Sequence, residues 1–239
     1  MPSGKKSYED QLEALFKISK AIASDNYLED ILKLIVAVTA QVMNSMICSL
    51  LLVDEKKQEF VVRASQSVSE EYNKKPPLKT TEGIAGKAVK EKKPIVVKDL
   101  MDAKDYKYRE LAEKEGLKSL LCVPLIVKDK VIGVINCYTP VKHEFTYGEI
   151  NILKSIAHQA AVAIENTELM VKTRVIQEEL EARKKIERAK GILMQEEGLK
   201  EQEAYSRIQK FAMDNRKTMR EIAEAIILSC EMRKNRNTK

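Results

Sequence analysis

Between Glu149 and Lys190 the chain has neither glycine nor proline, and Thr146 with Glu149 opens that stretch in the spacing of a helix capping box. Its pattern runs through Ile152, Ile156, Ala160, Ala163, Thr167 and Met170 and resumes at Ile176 and Leu180, the period of one helical face. A helix of about 40 residues exceeds what one globular core supports. The spacing therefore predicts a seam between two copies of the chain, a homodimer; the alternative is a helix that breaks near Lys172 into two domain-bound halves. The organisation expected is a domain over 1–166, a connecting, coiled-coil-like helix over 167–187 and a compact helical module with a basic tail over 188–239.

Before the long helix the signals are mixed. Leu12, Leu15, Phe16 and Ile18, and after a polar break at Ser24-Asp25-Asn26 also Leu28, Ile31, Leu32, Ile35 and Val38, repeat at helical spacing. Met46–Val53 and Phe60–Ser65 read as strands around the polar tip Asp54–Lys57, and Ser119–Val127 and Val131–Tyr138 as a second hairpin. Pro124 suits an edge or a bulge in its strand. Between the hairpins lie the loop at Pro76-Pro77, a short helix ending near Lys92, a strand at Ile95–Val97, a polar loop over Asp99–Tyr108 and a helix at Arg109–Glu115 stopped by Gly116. The class is α+β, a sheet with helices expected largely on one face. Leu34–Val53 carries no charge over 20 residues, long enough to span a membrane, but its character changes at Asn44-Ser45; the reading is the end of a buried helix followed by a buried strand, with no membrane partner.

The 42 basic and 36 acidic residues give a net charge of +6. From Val171 onward 17 basic side chains face 12 acidic ones, so +5 of the excess lies in the last part, where an anionic partner is to be sought. Cys48, Cys122, Cys137 and Cys230 form no Cys-x-x-Cys or Cys/His cluster and read as small buried hydrophobes with reduced thiols. Met1–Ser7 is polar, so no signal peptide is expected and the location expected is cytoplasmic.

The C-terminal module is all helical. Ile186, Ala189 and Leu193 share a face, and Gly198 stands where a helix ends. A second helix spans about Glu201–Met213, and Thr218 with Glu221 forms a capping box that starts a third. Arg183, Lys184, Arg188 and Lys190 crowd the first helix, while Arg216, Lys217 and Arg220 surround the start of the third, where free N–H groups and the helix dipole favour an anion. Gly191 costs the first helix about 1 kcal/mol relative to alanine. Either something approaches the backbone there or a neighbouring helix packs close; the residues alone leave both open.

Two resemblances follow. Gly83-Ile84-Ala85-Gly86-Lys87-Ala88-Val89, Pro94–Asp99, Leu120–Leu125 and Val131–Asn136 occur in the order found in GAF domains, over about residues 8–166. This implies a ligand pocket between the sheet, the short helix and the Asp99–Tyr108 loop; no cofactor is predicted, and the identity of any small-molecule ligand is left unknown. Arg183-x-x-Ile186-x-x-Ala189-Lys190-Gly191-Ile192-Leu193-Met194, Glu203-Ala204-Tyr205-x-x-Ile208 and Ala212–Ile227 closely resemble the ANTAR domain, over about residues 170–228. The resemblance implies a three-helix module that binds nascent RNA bearing two adjacent hairpins and prevents transcription termination. Carried over by position, Ala189, Lys190, Gly191, Met213, Arg216 and Lys217 form the RNA-binding surface; Arg183, Lys184, Arg188 and Arg220 are added from charge and spacing. Lys200 departs from the family, which often has Ser or Asp at that cap.

Other classes fit less well. Three helices also imitate a helix-turn-helix, so a DNA-binding regulator is one rival, and a GAF-mediated dimeric interaction module another. No nucleophile–base set, phosphate-cradling glycine loop or metal cluster points to an enzyme. His143 and His158, the two candidates for an axial haem ligand, read as surface or packing residues.

Overall fold

The computed structural model describes residues 8–24, 27–66, 69–73 and 76–236. Met1–Ser7 and Asp25-Asn26 of the polar break therefore lie outside the described residues. The chain packs as two units that divide after Thr167.

In the first unit, α1 (Tyr8–Ile22) and α2 (Leu28–Val42) precede β1 (Ile47–Asp54) and β2 (Glu59–Ser65). The uncharged run that imitates a membrane span is the second half of α2 and most of β1, separated by a turn in which Asn44 takes φ 48°. Among the described residues no helix is long and apolar enough to cross a membrane. Asp54 Oδ1 accepts from the N–H groups of Lys56 (2.9 Å) and Lys57 (3.1 Å), which fixes the β1–β2 turn. There follow α3 (Glu70–Asn73), β3 (Leu78–Lys79), α4 (Gly83–Glu91), β4 (Ile95–Val97), α5 (Arg109–Lys114), β5 (Ser119–Val127) and β6 (Lys130–Thr139). The β5–β6 turn has positive φ at both Lys128 and Asp129, the mirror-image turn whose twist suits a hairpin.

All pairings are antiparallel, in the order β3-β2-β1-β6-β5-β4. Helices cover both faces, which corrects the expectation of helices largely on one. On one side α1, α2 and the start of α6 (Tyr147–Glu197) bury Ile18, Ile35, Leu153 and Ala160 against Leu50, Leu121 and Ile135. On the other, α4, α5 and the connecting loops pack Ile84, Ala112, Leu100 and Tyr106 against Leu51, Leu120 and Tyr138. The nearly continuous apolar run of β5 is the signature of a strand buried on both faces. β4 pairs with β5 only as far as Cys122, so Pro124 lies where that side of β5 has no strand to bond, one residue before a register shift at Leu125/Ile126. Gly133 is required by a close approach: a Cβ there would sit 2.2 Å from the Leu51 carbonyl oxygen.

The capping box at the start of α6 forms, with Thr146 N–H and Oγ1 2.6 and 2.8 Å from Glu149 Oε2. The helix then continues unbroken for 51 residues, about fourteen turns, past Gly191 to Glu197. In the second unit its last turns pack with α7 (Glu201–Asp214) and α8 (Met219–Arg236) around Ala189, Leu193, Ala204, Ile208, Ala223 and Ile227. Gly198, at φ +68°, ends α6 as the sequence predicts. Every residue from Glu168 to Glu181 is exposed, Leu169, Ile176 and Leu180 among them.

Candidate functional site

The corner between α7 and α8 gathers four of the residues singled out in the sequence. The N–H of Arg216 donates to the Met213 carbonyl (3.2 Å) and that of Lys217 to the Ala212 carbonyl (2.9 Å), the paired bonds of a Schellman turn. The turn demands a left-handed residue, and Arg216 supplies it at φ 51°. Thr218 then caps α8: its N–H and hydroxyl reach Glu221 Oε2 at 2.8 and 3.0 Å, and its Oγ1 accepts from the Glu221 N–H. The outcome is an exposed ridge of Met213, Arg216 and Lys217 at the start of α8, with Arg220 one turn further. Arg216 has no carboxylate partner among the described residues. Lys217 lies 3.8 Å from Glu221, and Arg220 is 3.0 Å from Glu224.

Glu224 connects this ridge to α6. Its Oε1 accepts from Lys185 Nζ (2.6 Å) as well as from Arg220 Nε, and these two cations, Lys185 first, hold its carboxyl below the usual carboxylate range. The basic turn of α6, with exposed Arg183, Lys184 and Arg188, thus lies next to the start of α8. Lys184 pairs with Glu181 (3.3 Å) and Arg188 with Glu231 (2.7 Å); Arg183 has no carboxylate partner among the described residues. Lys185 was missed in the sequence although it sits in the same basic run.

Ala189 and Lys190 are placed differently from the expectation of a common surface. Ala189 is fully buried in the core of the module. Lys190 is 6% exposed; its stem runs over the core and its ammonium sits 2.9 Å from Glu187 Oε2 and 2.8 Å from Glu201 Oε1. The hydrogen bond to Glu201, then that to Glu187, raises its pKa above the ordinary lysine value. Glu201 begins α7 and Arg216 follows its end, roughly 20 Å away at 1.5 Å per residue. Lys190 and Arg216 are therefore not neighbours. Gly191, by contrast, is exposed, and a Cβ there would meet nothing within 4 Å. Close packing among the described residues does not account for that glycine. At Lys200, whose side chain has no acceptor, the α7 cap is one-sided: Glu203 Oε2 accepts from the Lys200 N–H at 2.8 Å.

In the first unit a hollow of about 390 Å³ lies between the sheet, α4 and the Tyr106–Tyr108 end of the polar loop. Its floor includes Leu51, Leu120, Asn136 and Tyr138. A buried hydroxyl contact adjoins it: Ser49 Oγ is 3.0 Å from Tyr72 OH, and the Tyr72 and Tyr138 rings meet edge to face at 5.9 Å. Burial pushes Tyr106 up to about 12, so it is a neutral hydroxyl at physiological pH. The four cysteines are buried and free. Cys48 and Cys137 face each other across β1 and β6 with sulfurs 3.8 Å apart, and burial raises the Cys48 pKa well above the ordinary thiol value. His143 Nε2 lies 2.9 Å from Glu149 Oε1, its ring meets that of Phe145 nearly perpendicularly at 4.8 Å, and His158 is exposed.

Residues 26–165 match the GAF domain family and residues 174–227 the ANTAR domain family. The nitrogen fixation protein AnfA of Azotobacter vinelandii is 29% identical over 126 residues, 52% of this chain and 24% of AnfA. The transcriptional regulatory protein PdtaR of Mycobacterium tuberculosis is 43% identical over 63 residues, 26% of this chain and 31% of PdtaR. The chain thus spans a quarter to a third of the length of these curated relatives. Among solved structures, the GAF domain of a phosphoenolpyruvate-protein phosphotransferase from Coxiella burnetii aligns with a TM-score of 0.63 at 24% identity, over 69% of this chain and 98% of that one, a likeness of fold. With more than half its length in the first match and the second following directly after it, the chain belongs to the GAF domain family and carries an ANTAR domain behind its sensor fold.

Proposed function

We propose that this protein is a non-enzymatic, cytoplasmic transcription antitermination regulator. Its ANTAR domain binds RNA with two adjacent hairpins, and a small molecule at the GAF domain controls it. The observation that carries the RNA reading is the exposed ridge of Met213, Arg216 and Lys217, with Arg220 beside it, at the capped start of α8 in a domain matched to ANTAR. Cations there neutralise phosphates, and the helix start adds its dipole. Exposed ion pairs such as Lys217–Glu221 are worth little, so these cations re-pair with phosphate at small cost. Gly191 leaves bare backbone on α6 for a partner to approach. Lys190 acts away from the ridge, anchoring the start of α7 to α6 through Glu201, and Ala189 packs the core.

The active form is a homodimer paired through α6. Asn166, Leu169, Thr173, Ile176 and Leu180 follow the alternating three- and four-residue spacing of a coiled-coil seam, and from Leu169 to Leu180 they are exposed among the described residues. Titration of the full chain with an RNA carrying two hairpins, with one hairpin and with double-stranded DNA, at several salt concentrations, tests the reading. The two-hairpin RNA is expected to bind tightest, with an affinity that falls as salt rises; preference for DNA, or no RNA binding at low salt, overturns it.

A further inference from the structure

One carboxylate joins the basic turn of α6 to the start of α8. Glu224 Oε1 accepts from Lys185 Nζ at 2.6 Å and from Arg220 Nε at 3.0 Å. Both cations bond the same oxygen atom, so their charged heads are neighbours although they stand on different helices. Lys185, Arg220 and Glu224 are half-buried, whereas Arg183, Lys184 and Arg188 beside them are exposed. Of the five N–H groups of a guanidinium and the three of an ammonium, these bonds use one each. The terminal NH2 groups of Arg220 and the remaining N–H groups of Lys185 have no acceptor among the described residues. That end of a guanidinium is the fork that meets two oxygens of one phosphate. The other pairs nearby differ. Lys184–Glu181, Arg188–Glu231 and Lys217–Glu221 each match one cation with one carboxylate, while two cations on Glu224 leave their cluster net positive. These two cations therefore need not leave their carboxylate to receive an anion.

We propose that Lys185 and Arg220, yoked by Glu224, form a seat for a backbone phosphate of the RNA, and that Glu224 is the positioning residue of that seat. The phosphate takes the free fork of Arg220 and the free donors of Lys185 while both stay bonded to Glu224. A long cationic side chain loses much rotamer freedom when it is fixed on a ligand, and one already held in place loses less. Glu224 thus repels the phosphate as a charge but favours it by ordering the two cations, and the second effect is the larger. The seat extends the ridge of Arg216 and Lys217 across to α6 and puts Lys185 on the path of the RNA. The inference deepens the RNA reading proposed above and rests on it.

The test titrates the full-length protein with an RNA carrying two hairpins at several salt concentrations. Lys185→Gln is expected to weaken binding about threefold to tenfold and to lower the salt slope by about one, and Lys185→Arg to restore most of both. Glu224→Gln removes a negative charge from a surface that meets a polyanion, so long-range electrostatics alone would tighten binding. The seat predicts the opposite, a loss of about threefold, and no further loss when Glu224→Gln is added to Lys185→Gln with Arg220→Gln. Tighter binding by Glu224→Gln, an equal loss in both backgrounds, or unchanged affinity and slope in Lys185→Gln overturns the proposal. Should Glu224→Gln lower the denaturation midpoint, the contrast between Lys185→Gln and Lys185→Arg decides instead. Wild type that binds RNA while the variants behave alike sinks the seat and leaves the RNA reading standing. Wild type that binds no RNA at low salt sinks that reading, and the seat is then judged on phosphocellulose. There Lys185→Gln and Glu224→Gln are both expected to elute at lower salt than the wild type, and later elution of Glu224→Gln overturns it.

Discussion

Arg216 holds a backbone conformation that side-chain-bearing residues rarely adopt, φ 51°, at the turn where α7 ends. Glycine adopts it without strain, so Arg216→Gly is expected to stabilise the C-terminal unit by about 1 kcal/mol, as read by chemical denaturation. Arg216→Ala keeps the strain and is expected to leave stability nearly unchanged. Both are expected to weaken RNA binding and to lower its salt slope by about one. A strained arginine whose replacement by glycine improves the fold but costs binding is one kept for its charge. Gly191 allows the same separation. With open space around its missing Cβ, Gly191→Ala is expected to stabilise α6 by about 1 kcal/mol. Reduced RNA affinity would mark close approach by the RNA backbone, and unchanged affinity would remove Gly191 from the interface. Lys190 contributes through Glu201 and Glu187. Its raised pKa means that this stabilisation is fully present below the ordinary lysine value of 10.5 and is lost as pH rises through the higher folded-state value. Denaturation midpoints of wild type and Lys190→Met should therefore converge in strongly alkaline solution, the wild type being the more stable below it. A constant difference across that range would show that the ammonium does not act through its charge. The spelling of the motif placed Lys190 correctly in the chain but not its depth: whether a lysine beside a core alanine reaches solvent or folds back depends on Glu201, a contact eleven residues away that periodicity does not reveal.

Elements were more legible than the contacts between them. The residues of β5 carry their own bounds, because the apolar run is ended by Lys128-Asp129; the turn is two residues, and β6 begins at Lys130, one residue before the strand the sequence suggests. The capping boxes at Thr146 and Thr218 likewise located the starts of α6 and α8, since the side chains that satisfy a helix start lie within three residues of it. What stayed hidden was the second covered face of the sheet. Its cover consists of α4, α5 and loops, too short to show a strong helical period, and the evidence lay in the strands instead, where Leu120, Cys122 and Val134 oppose Leu121, Val123 and Ile135 on the other side. The hollow lies where the GAF resemblance implies a pocket, between the sheet, the short helix and the polar loop, but its lining is not legible in the sequence for a related reason. Asn136 reads in sequence as one polar residue in a strand, and only the register that sets it among Ser49, Tyr106 and Tyr138 shows a buried acceptor without a partner. Along α6 the problem is reversed. The sequence reads as a helix whose apolar pattern passes through Thr167, Met170, Ile176 and Leu180, and in the structure every residue from Glu168 to Glu181 is exposed, with ion pairs such as Arg174–Glu178 at 3.1 Å, each worth a few tenths of a kcal/mol, along that stretch. A helix so exposed is stabilised chiefly by a partner, so Ile176→Asp with Leu180→Asp is expected to convert a dimer into a monomer in sedimentation at micromolar concentration and to lower helical content.

At the scale of the whole molecule, the function proposed makes pairing through α6 and the basic ridge depend on each other. A single module of this size, with a core of about half a dozen small and medium apolar side chains and a modest patch of cations, is suited to weak contact with one hairpin. Two modules joined as proposed would meet the second hairpin of the same RNA at an effective concentration set by the tether, a gain that reaches about 10²–10⁴ when geometry allows both to engage. The dimer-breaking pair of substitutions lies outside the ridge, so it separates the two contributions. The variant is expected to bind a one-hairpin RNA as the wild type does, since Arg216, Lys217 and Arg220 are untouched. It is expected to bind a two-hairpin RNA no better than that, losing a preference of about 100-fold. Equal loss on both RNAs would mean that the seam is needed to fold the module. A preserved preference would mean that one module reads both hairpins alone, and pairing through α6 would then have no part in recognition.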